Sequence, residues 1–122
     1  MVSIGLIGLG HWGKNHYKSL REIKGVSVPL VCDSRLEKRS YEGTEFTQDH
    51  REFAQRGDID AVIVATPATT HYQITRDLLL SGKHVLVEKP ITTNLAEGKD
   101  LCEIAEQKNR VLMVGEIFRF NP

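Results

Sequence analysis

The stretch Ile4-Gly5-Leu6-Ile7-Gly8-Leu9-Gly10-His11-Trp12-Gly13 constrains this chain more than any other. An apolar run, Ile4 to Leu9, reads as a strand. It enters three glycines spaced G-x-G-x-x-G, and a helix-patterned segment follows. Gly8 permits a tight turn, Gly10 removes a Cβ where a pyrophosphate would approach, and Gly13 lets the helix pack closely on the strand. The start of the helix then offers free amides and a partial positive charge to an anion. Such a glycine pattern alone is weak, so its context decides. Asp33 ends the second apolar run about 20 residues beyond the last glycine, where a carboxylate accepts the hydroxyls of an adenosine ribose. That carboxylate repels a 2′-phosphate and favours NAD over NADP. Ser34 and Arg35 follow it in the candidate cofactor set, and Arg35 has the chemistry either to stack on adenine or to pair with a 2′-phosphate. NAD is therefore the expected cofactor and NADP the alternative. A methyltransferase domain shares the glycine-rich first turn and the acid after the second strand. It predicts an antiparallel final hairpin, which the Val-Leu-Met-Val-Gly ending of the last apolar run does not suggest.

The remaining apolar runs are Val26 to Cys32, Ala61 to Ala65, Val85 to Val87 and Val111 to Val114, with a short strand expected near Glu45 to Thr47. Near-continuous runs rich in Val and Ile suit parallel strands covered on both faces. Between them lie helix signals. Ser34 with Glu37, Thr70 with Gln73, and Asn94 with Glu97 each match a capping box. Trp12, Leu20 and Ile23 give the first helix an apolar stripe, Ile74 with Leu78 a later one, and Leu101 with Ala105 the last. Gly82 stands where a helix would end. Strand and helix alternate about five times before a closing strand, which argues for a doubly wound parallel α/β sheet, a Rossmann fold, in the order 3-2-1-4-5-6.

At 122 residues the chain has the size of one domain and can bury a core without disulfides or metals. Sixteen basic residues balance sixteen acidic ones, so neither a broad nucleic-acid footprint nor an anionic membrane partner is expected. Cys32 and Cys102 both sit in apolar stretches and are expected to be reduced and buried. No apolar run reaches membrane-spanning length, and no signal peptide precedes the first strand, so a cytoplasmic location is expected. His11 and His16, five residues apart, fall off one helix face, so a metal pair is not expected. His50 and His84 read as structural or solvated, and Trp12 as packing more than as a cofactor stack.

Ligands of open α/β sheets bind at the carboxyl ends of the strands. Those ends read Ala65-Thr66-Pro67-Ala68-Thr69-Thr70-His71, then Glu88-Lys89-Pro90, then Gly115-Glu116-Ile117-Phe118-Arg119-Phe120-Asn121-Pro122. Together with the Gly-Leu-Gly-His-Trp-Gly-Lys-Asn-His opening and Asp33, they resemble, in order and along the whole chain, the Gfo/Idh/MocA family of oxidoreductases. The Trp-Gly-Lys-Asn-His and Phe-Arg-Phe-Asn-Pro segments look like nucleotide-sugar 3-dehydrogenases within it.

The resemblance implies a two-domain enzyme of about 300 to 400 residues by ordinary domain sizes. Residues 1–122 would form its dinucleotide-binding domain, with residues 115–122 beginning the junction to a second, α+β domain. That domain normally carries a D-x-x-x-H motif, whose histidine acts as acid and base, and often the homo-oligomer interface. No such motif stands in this sequence. The implied reaction is hydride transfer between NAD(P) and a secondary hydroxyl of a sugar, nucleotide sugar or cyclic polyol. A standalone dinucleotide-binding or sensing module without catalysis is the alternative, and this chain alone is expected to be inactive.

By the same resemblance Lys89 is the catalytic lysine beside nicotinamide and substrate hydroxyl, and Glu88 contacts the nicotinamide ribose. Thr66 and Pro67 lie beneath the cofactor, His71 lies near the nicotinamide, and Pro90 follows a cis bond. His11 and Trp12 join the cofactor set next to the glycines. Glu116 departs from the family pattern, which often has a histidine there, and Arg119 takes a structural or substrate-side part at the junction.

Overall fold

In a computed structural model, residues 1–35 and 43–115 are described. The first apolar run forms β1 (Val2–Ile7), two residues earlier than its hydrophobic pattern suggests, because Gly8 already turns the chain. Helix α1 (His11–Glu22) follows. The second run divides into β2 (Val26–Ser27) and β3 (Leu30–Cys32). Pro29, which has no N–H for a ladder, stands at the break. β2 pairs with β1 through Val2 and Val26, and β3 through Leu6 and Val31, so the second strand gains one residue between the two pairings, as a bulge does. Next come β4 (Glu45–Thr47), the single turn α2 (Glu52–Gln55), β5 (Ala61–Val64), a 3-10 turn (Ala68–Thr70), α3 (His71–Leu80), β6 (His84–Glu88), α4 (Leu95–Lys108) and β7 (Leu112–Gly115).

Every strand pairing among the described residues is parallel. The sheet runs β4-β3-β1-β5-β6-β7, with β2 beside β1. With β2 and β3 taken as one interrupted strand, this is the expected 3-2-1-4-5-6 order. The chain winds outward from β1 in one direction, then returns and winds out from β5 in the other, so the reversal lies between β1 and β5.

The core has two layers, one on each face of the sheet. Alternate residues of one strand divide between them: Val62 and Val64 of β5 join the layer under α3 and α4, whereas Ile63 joins the layer under α1. Phe53 of α2, fully buried, lies over Gly5, where a Cβ would meet its ring at 2.5 Å. Each buried Val or Leu of this kind contributes about 1.5–3 kcal/mol. Cover under α1 thins toward β7, where Leu86 is half-buried and Met113 is 58% exposed.

The helix ends show which local signals operate. Asn94 caps α4, accepting the Glu97 amide at 2.9 Å while its own amide donates to the Glu97 carboxylate. Gly82, at φ +91°, closes α3, with Lys83 N–H donating to the Leu78 carbonyl and Gly82 N–H to that of Leu79. The box expected of Thr70 and Gln73 does not form. The 3-10 turn runs directly into α3, the Thr70 hydroxyl bonds back to Thr66 and Pro67, and the Gln73 amide donates to Asp77. The third box needs Glu37, which lies outside the described residues, as do Glu116 and Arg119. Ile23 is half-exposed at the end of α1, not part of its buried stripe, and Trp12 is 40% exposed, not core.

One of the two cysteines differs from expectation. Cys32 is buried at the end of β3, but Cys102 is exposed on α4, because it falls between the buried positions Leu101 and Ile104. Burial, with the nearby Asp33, Asp49 and Glu52 carboxylates, pushes the Cys32 thiol up to about 12. A thiol reagent should therefore titrate one cysteine of the folded chain quickly and the second only in denaturant. Cys102→Ala should remove the fast phase, and a fast phase persisting in that variant would place the reactive thiol at Cys32 instead.

Candidate dinucleotide site

The carboxyl ends of the strands finish level. Ile7 pairs with Cys32 and Val64, Cys32 with Thr47, and Val64 with Val87. Three backbone bonds carry the ladder one step further. Gly8 N–H donates to the Cys32 carbonyl at 2.7 Å, Ala65 N–H to that of Ile7 at 2.8 Å, and Asp33 N–H to that of Thr47 at 3.2 Å. The glycine turn, Asp33 and the Ala65–Pro67 segment are thereby fixed side by side at the point where the winding reverses.

The turn itself depends on contacts a side chain would forbid. Gly8 lies at φ +101°, and a Cβ on it would stand 2.4 Å from the Ala65 carbonyl oxygen. A Cβ on Gly13 would stand 1.9 Å from the Gly8 carbonyl oxygen. Gly10 is different: nothing lies within 4 Å of its missing Cβ, so the space above it is open. Gly10 is the N-cap of α1, and its carbonyl accepts the first helical bond from Lys14 at 2.9 Å. The amides of the first turn, at His11, Trp12 and Gly13, have no acceptor within the helix.

A cleft of about 830 Å³ opens at this place. It brings together seven of the expected cofactor residues, namely Gly8, Gly10, Asp33, Ser34, Arg35, Thr66 and Pro67. Asp33 accepts the Leu9 amide at 2.8 Å and the Arg35 amide at 2.9 Å, and the Arg35 guanidinium grips both its oxygens at 3.0 Å while donating to the Leu9 carbonyl at 2.9 Å. Partial burial pushes the Asp33 carboxyl up, but the hydrogen bonds from Arg35 and Leu9 outweigh it and hold it at about 2. It is an ionised acceptor at any physiological pH.

The other expected residues stand around the cleft without lining it. His11 and Trp12 are exposed and meet edge to face at 5.2 Å, while Gly13 is buried under the turn. Lys89 is exposed at the end of β6 and precedes Pro90 through a cis peptide bond, as the resemblance implied. Glu88 turns to His16 of α1, to which it is hydrogen-bonded. His71 is 1% exposed, with Nδ1 2.7 Å from the Pro90 carbonyl oxygen and Nε2 2.8 Å from that of Thr66. His84 is structural, accepting the Val111 amide at 2.9 Å.

Five polar residues that the sequence did not single out for the site also line the cleft: Gln48, His50, Thr69, Thr70 and Gln73. Gln48 and His50 follow β4, the expected short strand, so applying the strand-end rule there as well would have found them. The other three begin the helix after β5.

A family model described as "Oxidoreductase family, NAD-binding Rossmann fold" matches residues 2–116. The chain is 31% identical to a 4-carboxy-2-hydroxymuconate-6-semialdehyde dehydrogenase of Sphingobium, over 99% of this chain and 40% of that protein. It is 32% identical to a glycosyl hydrolase family 109 protein of Streptomyces filamentosus, over 92% of this chain and 26% of the relative. The chain thus spans well under half the length of these relatives. A crystal structure of an NAD-binding protein from Listeria innocua superposes with a TM-score of 0.90 at 26% identity, covering 98% of this chain and 36% of that one.

The glycines give a paired prediction. Gly13→Ala should destabilise the fold by about 1–3 kcal/mol, the scale of overpacking, in urea unfolding. Gly10→Ala should unfold like the unaltered chain yet bind ADP-ribose at least about tenfold more weakly, since its methyl enters the space open to a pyrophosphate. Equal destabilisation by both substitutions would contradict this geometry.

Proposed function

We propose, from the premise that this chain belongs to the Gfo/Idh/MocA family of NAD-binding oxidoreductases, that it holds NAD for hydride transfer at a secondary hydroxyl of a sugar, nucleotide sugar or cyclic polyol. The observation that carries the reading is the open space over Gly10 beside an ionised Asp33, within one cleft at the reversal of the sheet. Those residues fit the group: the first-turn amides of α1 would take the pyrophosphate, and Asp33 the ribose hydroxyls. When bound, the nicotinamide supplies the hydride acceptor. Lys89, exposed at the neighbouring strand end, would face the substrate oxygen and steady the charge that develops as its proton leaves. The proton acceptor would belong to a second domain reached through residues 115–122, the domain expected also to make a homo-oligomer. The names of the relatives, one a dehydrogenase and others glycosyl hydrolases, support redox chemistry and a sugar-like substrate. Two unpaired cysteines accord with work in the cytoplasm, and no described helix is long and apolar enough to cross a membrane.

The grip of Arg35 on Asp33 bears on the cofactor. A ribose must displace Arg35 from the carboxylate, whereas a 2′-phosphate would meet the guanidinium already in place but next to Asp33. The carboxylate is held by two backbone amides as well, so it stays the fixed element of the site and NAD is the preferred ligand. In calorimetry with this chain, NAD should bind more tightly than NADP, and Asp33→Ala should weaken NAD by at least about tenfold, the scale of hydrogen bonds to a charged group. With its carboxyl held at about 2, Asp33 should add no pH dependence to NAD affinity between about pH 8 and pH 4. NADP binding far more tightly than NAD would reverse the assignment.

The chain by itself should show no dehydrogenase turnover with NAD and a panel of sugars and inositols, followed by NADH absorbance. Turnover by the purified 122-residue chain would mean that the acid and base lie within it.

A further inference from the structure

The turn that carries Lys89 is fastened from both sides of the sheet, and the fastening groups are histidines. On one face His16, from the second turn of α1, reaches across to the Glu88 carboxylate. That carboxylate leans over β7, where a Cβ on Gly115 would stand only 3.3 Å from Oε2. On the other face His71, from the first turn of α3, lies against the Pro90 carbonyl oxygen with one ring nitrogen and against the Thr66 carbonyl oxygen with the other. Carbonyl oxygens only accept, so whichever ring nitrogen carries an N–H donates it to one of the two loops. Between the two histidines the Lys89 amide donates to the Gly115 carbonyl at 3.3 Å, long for a strand bond and at the very end of the ladder. Lys89 is itself exposed, so among the described residues it is the backbone that sets where the ammonium points.

We infer that His16 and His71 are positioning residues, which clamp the Glu88-Lys89-Pro90 turn between α1 and α3 and so aim Lys89 at the ligand held by the glycine turn. The inference rests on the placement of Lys89 beside the nicotinamide given above. It also explains two side chains that the cleft leaves over. His71 is too buried to touch a ligand and Glu88 is already engaged, yet both are tied to the one strand end that carries the lysine. Because His16 belongs to the helix that follows the glycines, and His71 also holds Thr66 in the cleft wall, the clamp joins three strand ends into one rigid edge. An ordinary polar packing role would hold the helices on the sheet without any special effect at Lys89.

Amide hydrogen exchange on the full chain separates these roles. His16→Ala and His71→Ala should each raise exchange at the Lys89 amide about tenfold, the weight of one hydrogen bond released by local opening, while the amides of Val85 and Val87 keep their rates. His16→Gln and His71→Asn, which retain a donor, should recover part of the protection. In the same chains NAD should shield Lys89 from acetylation, read by mass spectrometry, in the unaltered protein but less in the alanine variants. Native exchange at Lys89 in both alanine variants would overturn the clamp, as would a uniform rise along β6. Lys89 acetylated equally with and without NAD in the unaltered chain would instead overturn its placement beside the nicotinamide, and the exchange rates would still decide the clamp.

Discussion

The Gly8 carbonyl oxygen occupies the space where any side chain at position 13 would begin, 1.9 Å from the place of a Cβ. Through this contact the start of α1 presses directly onto the end of β1. It sets the angle at which the helix leaves the sheet, and with it the direction of the free amides of the first turn. Gly8 can accept the contact because it sits at positive φ with Ala65 at its back, so the turn is wedged between its own helix and the neighbouring strand end. A methyl at Gly13 would push the helix off the strand, and one at Gly8 would push the turn off Ala65, so the first-turn amides would lose their direction before any functional group was lost.

Around that wedge the parallel ladder works as an alignment device. Strands in register finish level, so Asp33, the glycine turn, Thr66 and Glu88 arrive at one edge from segments far apart in sequence. The reversal of winding between β1 and β5 leaves the cleft there, since the segments leaving those two strand ends go to opposite faces. Polar contacts then stiffen the edge. Arg35 and two amides hold Asp33, and two histidines hold the turn beyond Glu88. These contacts add little to global stability beside the two apolar layers, but they decide where charges stand.

Much of this was legible in the residues. Period and composition located the strands, the glycines and Asp33 pointed to the cleft, and the strand order matches the one natural to a doubly wound sheet, which alternation alone does not fix. What the sequence misplaced has local physical causes. A proline with no N–H split one strand at Val28 and Pro29. A 3-10 turn absorbed Thr70 before it could cap α3. Cys102 lies one residue past a buried leucine, on the wet side of its helix. Gln48 and His50 follow a correctly expected short strand, but no motif at its end marks them as lining the cleft.

The sequence by itself determined the parallel α/β architecture, the glycine turn and the acid that answers it, because backbone conformation and hydrophobic period act over neighbouring residues and leave their mark in residue type. Only the tertiary structure decided what the polar side chains do there. That Arg35 closes on Asp33, that Glu88 turns to His16 and not to open solvent, and that His71 is buried between two carbonyls depend on groups brought together across the sheet. No spacing along the chain encodes those distances. They are set by the register of the seven paired strands among the described residues and by the faces that α1 and α3 cover.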